Sequence, residues 1–276
     1  MTGALEATLQ AARATPFPGA WVLAQILAAV AALGYVWVRA RRWPLFVCFA
    51  FALPAGVLGA FALGLAFRLL DRLAGRDVDL LGVAAYGALA GVVMGFVALS
   101  RRLDVDVLEG LDLIAPALAL LVAIGRLGCF LSGCDAGHIS DGILSVRFPA
   151  GSAVFREHVT QALILASDAW SLAVHPAQLY EAVLAMALAA LAHELGRRRF
   201  APGLVFGMTG LGYTLVRGFA DILRFPAPAA IYGLIASLLA GISVVLLLFH
   251  CARALEQRKT WTTPPEPSRI LSSSAR

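Results

Sequence analysis

Charge is scarce in this chain. Of its 276 residues only 14% are Asp, Glu, Lys or Arg, against 60% hydrophobic, and the mean hydropathy is +0.82. That excludes an ordinary soluble domain and leaves a polytopic membrane protein. Cysteine is nearly absent as well: Cys48, Cys129, Cys134 and Cys251 are too few and too scattered for a disulfide framework. The first 18 residues lack a charged segment followed by an apolar core, so no cleavable signal peptide is expected and the first span serves as the targeting element. The net charge of +5 is no nucleic-acid signature, because the basic residues sit in short clusters between apolar runs.

What is present is a succession of apolar runs. Seven spans are expected, at about 19–38, 44–67, 80–99, 111–131, 175–195, 203–222 and 229–250, forming one all-α membrane domain over 1–259. A mixed-charge loop with Arg68, Asp71, Arg72, Arg76, Asp77 and Asp79 separates the second and third spans. The third contains YGALAG at 86–91, small residues that let neighbouring helices approach closely. Residues 132–174 are too long and too polar for a tight loop and form a small extramembrane cap. Residues 260–276, rich in Pro and Ser, read as a disordered tail.

Seven spans put the termini on opposite sides, and the arginines choose which. Arg39, Arg41, Arg42, Arg101, Arg102, Arg197, Arg198, Arg199, Arg253, Arg258 and Lys259 gather on one side. The other side carries Arg13, Arg68, Arg72, Arg76, Arg147, Arg156 and Arg224, partly offset by aspartates. The positive-inside rule then places the C-terminus in the cytoplasm and the N-terminus and cap outside.

The stretch AIGRLGCFLSGCDAGH at 123–138 concentrates the unusual chemistry. An arginine at membrane depth costs roughly 2.5–3.5 kcal/mol on insertion scales, so Arg126 calls for a partner or for a route to the interface along its own aliphatic stem. A guanidinium is a planar, permanently charged fork whose best partners are phosphate and carboxylate oxygens. The fifth span opens HPAQLYEA, bringing His175, Gln178, Tyr180 and Glu181 to one helix end; interfacial decoration is the bland alternative. In the sixth, Tyr213, Arg217, Asp221 and Arg224 recur at steps of four, four and three, one face of a helix. An Arg217–Asp221 pair would neutralise itself and leave Arg126 needing something else. Two buried arginines against one or two acids leave spare positive charge, suited to a phospholipid phosphate.

The stretches GRLGCFLSG, HPAQLYEA and PGLVFGMTGLGYTLVRGFADILRF resemble those of the prolipoprotein diacylglyceryl transferase family. The resemblance covers roughly residues 80–225 and, through hydropathy, the seven-span layout. It implies an enzyme of the bacterial inner membrane that moves diacylglyceryl from phosphatidylglycerol to the lipobox cysteine thiol of a prolipoprotein, binding its signal peptide and releasing glycerol phosphate. No cofactor or metal is implied. Arg126 and Arg217 match the arginines that hold the lipid head group, and Tyr213 the essential tyrosine. His175, Gln178, Tyr180 and Glu181 match the motif HPSQLYE; Asp221 stands where the family has glutamate, and Arg224 where it has arginine.

The departures fall on polar positions. Tyr86, Gly87 and Ala88 stand where the family carries histidine and two glycines, and a phenol with pKa near 10 is a poor base at neutral pH. Tyr86 is then expected to contact substrate, and the thiol proton falls to His175, with His138 as the other candidate. GNFINGE becomes GCFLSGC, so Cys129 and Ser132 replace asparagines and Cys134 replaces a glutamate. Along an unbroken helix, Cys129 and Cys134 would point about 140° apart, so they meet only if it breaks, at Gly133 or Gly137. The pair admits a structural or disulfide role, thiol chemistry, or metal binding. Three rivals to the transferase remain: a divergent enzyme with another acceptor, a non-catalytic anionic-phospholipid binding or transport protein, and a thiol redox protein.

The arginine asymmetry makes a direct prediction. A reporter fused after Arg258 is expected to be cytoplasmic, and one placed within residues 140–160 extracytoplasmic. The opposite activity in either fusion removes the placement of the GRLGCFLSGC stretch at the outer leaflet.

Overall fold

The computed structural model describes residues 19–73, 81–198, 200–224, 237–238, 241–242 and 245. Seven helices occur among them: α1 (Ala20–Ala40), α2 (Trp43–Leu73), α3 (Leu81–Arg102), α4 (Val107–Ser132), α5 (Ala153–Thr160), α6 (Ala177–Leu195) and α7 (Leu204–Arg224). No strand is present among the described residues. Three of the helical stretches are long and apolar enough to cross a membrane: α1, residues Trp43–Ala66 of α2, and α4. The chain is an all-helical membrane protein. Most of the expected seventh span and the whole expected tail lie outside the described residues; Ser237, Leu238, Gly241, Ile242 and Val245 are helical.

Small residues decide how the helices meet. On α1 the buried positions are Ala20, Ala24, Ala28, Ala32 and Val36, one every fourth residue, while Trp21, Leu23, Ile26, Leu27 and Val30 face outward. This is an inside-out amphipathic helix, with alanine toward protein and bulk toward lipid. Its alanine stripe packs on α4, where a Cβ added at Gly128 would lie 2.3 Å from Ala24 Cβ. The α2–α3 contact is tighter still. A Cβ at Gly59 would stand 2.2 Å from Gly87 O, and one at Gly91 2.3 Å from Ala55 O, so the two backbones touch. The small residues at 86–91 thus perform the close approach expected of them.

Two element boundaries differ from expectation. The segment read as a mixed-charge loop from Arg68 is helical to Leu73, since no Gly or Pro interrupts the chain between Gly64 and Gly75. α4 starts at Val107, four residues before Leu111, because the Asp106 carboxylate caps it by accepting from Glu109 N at 2.9 Å, with Glu109 itself in the first turn.

α4 is the hub, packed against α1, α6 and α7. Its second turn also fixes the register of α7. Asp112 Oδ2 accepts from Gly203 N and Oδ1 from Phe206 N, both at 2.8 Å, so a carboxylate on one helix caps the N-terminus of another. α7 therefore starts level with the second turn of α4 and runs parallel to it. Fourteen residues on from Asp112 is Arg126, and fourteen on from Gly203 is Arg217. Both guanidinium-bearing turns arrive at about the same height, roughly 21 Å along at 1.5 Å per residue. α6 runs the other way. Its far end is pinned to α1 by Tyr35 Oη···His193 Nδ1 at 2.8 Å and by Arg39 Nη2 donating to Gly196 O at 3.1 Å. At that end α1 and α6 finish and α4 and α7 begin, so Arg39, Arg41, Arg197 and Arg198 lie away from Arg126 and Arg217.

Between α4 and α6 the chain folds over the helix ends. Antiparallel bridges join Ile139 and Val146 to Val174, and Pro149 to Trp170. Ser152 caps α5 by accepting from Phe155 N at 3.2 Å. Phe148, Val154 and Val174 form a small core with Phe130 at the end of α4 beneath it. His158 is buried, and burial depresses its pKa; the neutral ring accepts from Leu172 N at 3.3 Å through Nδ1.

The register argument is testable. Asp112→Ala should destabilise detergent-solubilised protein by about 1–2 kcal/mol through the lost cap. Asp112→Asn should recover part of this, since its amide oxygen still accepts. Thermal unfolding indistinguishable from wild type in Asp112→Ala would remove Asp112 as the element that sets α7 against α4.

Candidate functional site

The site begins where α4 stops. Gly133 adopts φ +63°, with Gly133 N bonded to Phe130 O at 3.1 Å and Cys134 N to Cys129 O at 3.0 Å, the paired bonds of a Schellman ending. The left-handed residue reverses the chain so that Cys134 and Asp135 turn back over the last turns of α4. The following backbone is tied down on both sides. Gln178 Nε2 donates to Cys134 O, Arg224 Nε to Asp135 O at 3.1 Å, Gly137 N to His175 O at 2.8 Å, and His138 N to Leu223 O at 2.7 Å. The ends of α4, α6 and α7 are thereby knitted together.

Inside this knot lies a cluster of three arginines and three carboxylates. Glu181, with no exposed side-chain area, sits at its centre: Oε1 is 2.9 Å from Arg126 Nε, while Oε2 is 2.6 Å from Arg224 Nη2 and 3.8 Å from Arg217 Nη1. Asp221 pairs with Arg217 Nη2 at 3.1 Å and lies 3.7 Å from Arg224 Nη1. Asp135 bonds Arg126 Nη1 and lies 3.5 Å from Arg224 Nη2. Burial opposes ionisation of Asp135, but Arg224, Arg126 and Arg217 outweigh it and hold its carboxyl below the usual carboxylate range.

This corrects two expectations. Arg126 is not left without a protein partner, since Glu181 and Asp135 both engage it. Nor does the protein carry spare positive charge here: Arg126, Arg217 and Arg224 are matched by Glu181, Asp221 and Asp135. The expectation fails because it counts only the acids of the fifth and sixth spans and omits Asp135, which the chain reversal at Gly133 brings over α4. The available signal was an acid two residues past the glycine that ends an arginine-bearing helix.

Charge is balanced, yet hydrogen bonding is not. Arg217 is 2% exposed, and its Nε makes no hydrogen bond, while Nη1 reaches protein oxygen only at the 3.8 Å contact with Glu181. Arg224 Nη1 and Gln178 Oε1 are likewise buried without hydrogen-bond partners. Among the described residues Glu181 Oε1 and Asp221 Oδ1 are buried without hydrogen-bond partners as well. Buried polar atoms are nearly always satisfied, so a cluster with unused donors and unused acceptors leaves room for a further polar group.

The remaining expected residues divide. Tyr213, one turn before Arg217, lies within electrostatic reach of Glu181, Arg126, Arg217 and Tyr86. Tyr86 is committed to α3's neighbour, its Oη 2.6 Å from Ser237 Oγ. His175 lies on the cap side, its ring 6.3 Å from that of Tyr180, with Nδ1 buried and unpartnered. No ion pair joins it to the arginine cluster among the described residues. Gln178 is buried and spends its amide N–H on Cys134 O. Ser132 ends α4 with its hydroxyl buried and unpartnered. Cys129 and Cys134 are free thiols: Cys134 Sγ donates to Cys129 O at 3.5 Å, and a side-chain hydrogen bond with the Cys129 thiol, together with burial, pushes the Cys134 thiol well above its ordinary range. Among the described residues no group of three or more His, Cys, Asp or Glu is arranged to hold a metal.

Comparison with known proteins places this geometry in context. The family model for prolipoprotein diacylglyceryl transferase matches residues 19–253. The phosphatidylglycerol–prolipoprotein diacylglyceryl transferase of Chlorobaculum tepidum is 30% identical over 146 residues, covering 52% of this chain and 45% of its own. The enzyme of the same name from Geobacter sulfurreducens is 31% identical over 146 residues, 52% of this chain and 49% of its own. The corresponding transferase 2 of Clostridium perfringens is 29% identical over 143 residues, 52% and 50% of the two chains. The chain spans about half the length of the curated relatives it matches. With the family model matching well over half of its residues, the chain belongs to the prolipoprotein diacylglyceryl transferase family.

Proposed function

We propose that this protein transfers a diacylglyceryl group from phosphatidylglycerol to a cysteine thiol of a prolipoprotein in the bacterial inner membrane. The observation that carries the reading is Arg217: a buried guanidinium with unused donors, beside Arg126 and Tyr213, is suited to a phosphodiester head group. In the reaction the thiol sulfur bonds the glycerol carbon, the carbon–oxygen bond to phosphate breaks, and glycerol phosphate leaves. Arg126 and Arg217 neutralise the phosphate that takes the electron pair, with Tyr213, Asp221 and Arg224 holding the arginines in place. Gln178, Tyr180, Glu181 and Tyr86 line the substrate side. His175 takes the thiol proton, the buried and unpartnered Nδ1 being a free acceptor in the neutral tautomer. Cys129 and Cys134 remain candidates for thiol chemistry beside the arginines.

The layout we propose is seven spans over residues 1–259, with the cap at 132–174 outside and a cytoplasmic tail at 260–276. The separation of Arg39, Arg41, Arg197 and Arg198 from the arginine cluster, at opposite ends of the helices, supports that orientation. The bulky apolar face of α1 supports contact with lipid. One observation favours a lipid-binding protein without catalysis: Tyr86, bonded to Ser237, stands where the family resemblance implies an imidazole.

Four substitutions separate the readings. Under the transferase reading Arg126→Lys, Arg217→Lys and His175→Ala each abolish diacylglyceryl transfer to a thiol peptide while the purified protein stays folded, because lysine keeps charge but not the bidentate fork. Under the binding reading the arginine changes weaken phosphatidylglycerol binding and His175→Ala does little. Transfer that appears only in Tyr86→His identifies a lapsed enzyme, and robust wild-type transfer that survives His175→Ala excludes His175 as the base. Glu181→Gln is expected to destabilise the fold by about 3–5 kcal/mol, since it strands buried guanidinia. A wild-type unfolding profile in that variant would show that Glu181 does not hold the cluster.

A further inference from the structure

The three carboxylates of the cluster are not equivalent. The side chains of Glu181 and Asp221 are 0% and 7% exposed, whereas that of Asp135 is 35% exposed. Glu181 and Asp221 project from α6 and α7 and are buried by them. Asp135 projects from the loop beyond α4, and its backbone has φ +63°. That backbone is held independently of its carboxylate, through Gln178 on Cys134 O, Arg224 Nε on Asp135 O, and the bonds of Gly137 and His138. The Asp135 side chain can therefore rotate away about two torsions while the loop stays in place. Arg126 and Arg224 are the groups it would release, one on each of the parallel helices.

We propose that Asp135 is a displaceable internal ligand of the phosphate site. Its carboxylate occupies Arg126 and Arg224 when no phosphate is bound, yields to a phosphodiester, and returns to expel the phosphomonoester that transfer leaves behind. The proposal rests on the transferase reading for the identity of that product, but its binding half does not require turnover.

The charge arithmetic supports the cycle. With Asp135 seated the cluster is neutral; with it withdrawn, three arginines face two carboxylates and the site presents one positive charge. A phosphodiester such as phosphatidylglycerol carries one negative charge and restores neutrality. A phosphomonoester carries about −1.5 to −2 at pH 7 and overfills it. Left to the arginines alone, the doubly charged product would be held more tightly than the substrate, and the enzyme would be inhibited by what it makes. A carboxylate tethered beside the same guanidinia counters this, because it competes with every ligand and repels the more negative one most. The residue thereby discriminates between substrate and product.

The test compares wild type with Asp135→Asn as purified full-length protein in nanodiscs of zwitterionic lipid. Calorimetry reads binding of two probes, sn-glycerol 1-phosphate and a short-chain phosphatidylglycerol. In Asp135→Asn both should bind more tightly, the monoester on the order of tenfold, which is the scale of one hydrogen bond to a charged group, and the diester by less. Inhibition of transfer by glycerol phosphate should strengthen in parallel. Asp135→Glu, which keeps a competing carboxylate, should stay near wild type. Unchanged or weakened binding of both probes in folded Asp135→Asn overturns the proposal and makes Asp135 an aligner of the arginines. Failure of both Asp135→Asn and Asp135→Ser to fold overturns it too, because a carboxylate the fold cannot lose is not one that a ligand displaces. If wild type binds both probes and transfers nothing, the transferase reading falls, while the affinity change still decides the role of Asp135.

Discussion

Everything at the cap ends of α4, α6 and α7 depends on one constraint, that a guanidinium cannot be left alone in apolar surroundings. Glu181 answers it three times over. From the first turns of α6 it reaches an arginine on α4 and two on α7, so one carboxylate holds three helices at a common point. The arrangement is demanding: removing one partner of such a cluster leaves an uncompensated buried charge, worth about 3–5 kcal/mol against the fold. It is also what makes a phosphate site conceivable in a membrane. The guanidinia are oriented in advance by protein carboxylates, so a phosphate bound as proposed would meet donors already in position rather than arginines that must first be gathered.

The height at which those arginines stand is set elsewhere, at the opposite end of the bundle. Asp112 caps α7 from the side of α4 and sets its start level with the second turn of α4, and equal spacings of fourteen residues then bring Arg126 and Arg217 abreast. A capping bond and a count of residues thus do the work that long-range packing would otherwise have to do. Helix geometry carries the register over roughly 21 Å with little slack, since the rise per residue is nearly constant.

Much of this was legible in the sequence, and the failures have a common form. The periodic residues of α7 were visible because Tyr213, Arg217, Asp221 and Arg224 follow the helical repeat, and the close α2–α3 contact because Gly87 and Gly91 lie one turn apart. Local pattern carries such features. Asp112 escaped because its partners, Gly203 and Phe206, lie about ninety residues away, and Asp135 because its pairing with Arg126 depends on a chain reversal rather than on helical spacing. Nothing near Asp112 distinguishes it from any acid in the first turns of a helix. The reading of Arg126 as unpartnered failed for the same reason: counting acids along the chain does not reveal which ones a chain reversal at Gly133 brings overhead. Likewise, charged residues after Arg68 look like a loop by hydropathy, although nothing in that stretch breaks a helix.

The contact between α2 and α3 has a consequence for traffic. Where Gly59 faces Gly87 and Gly91 faces Ala55, main chain lies on main chain with no side chain between to swing aside. A gate needs a leaf that moves, and at these two contacts there is none; opening them would mean pulling the two helices apart. Under the proposed reaction, an acyl chain moving from the bilayer toward the arginines would be turned away at these contacts.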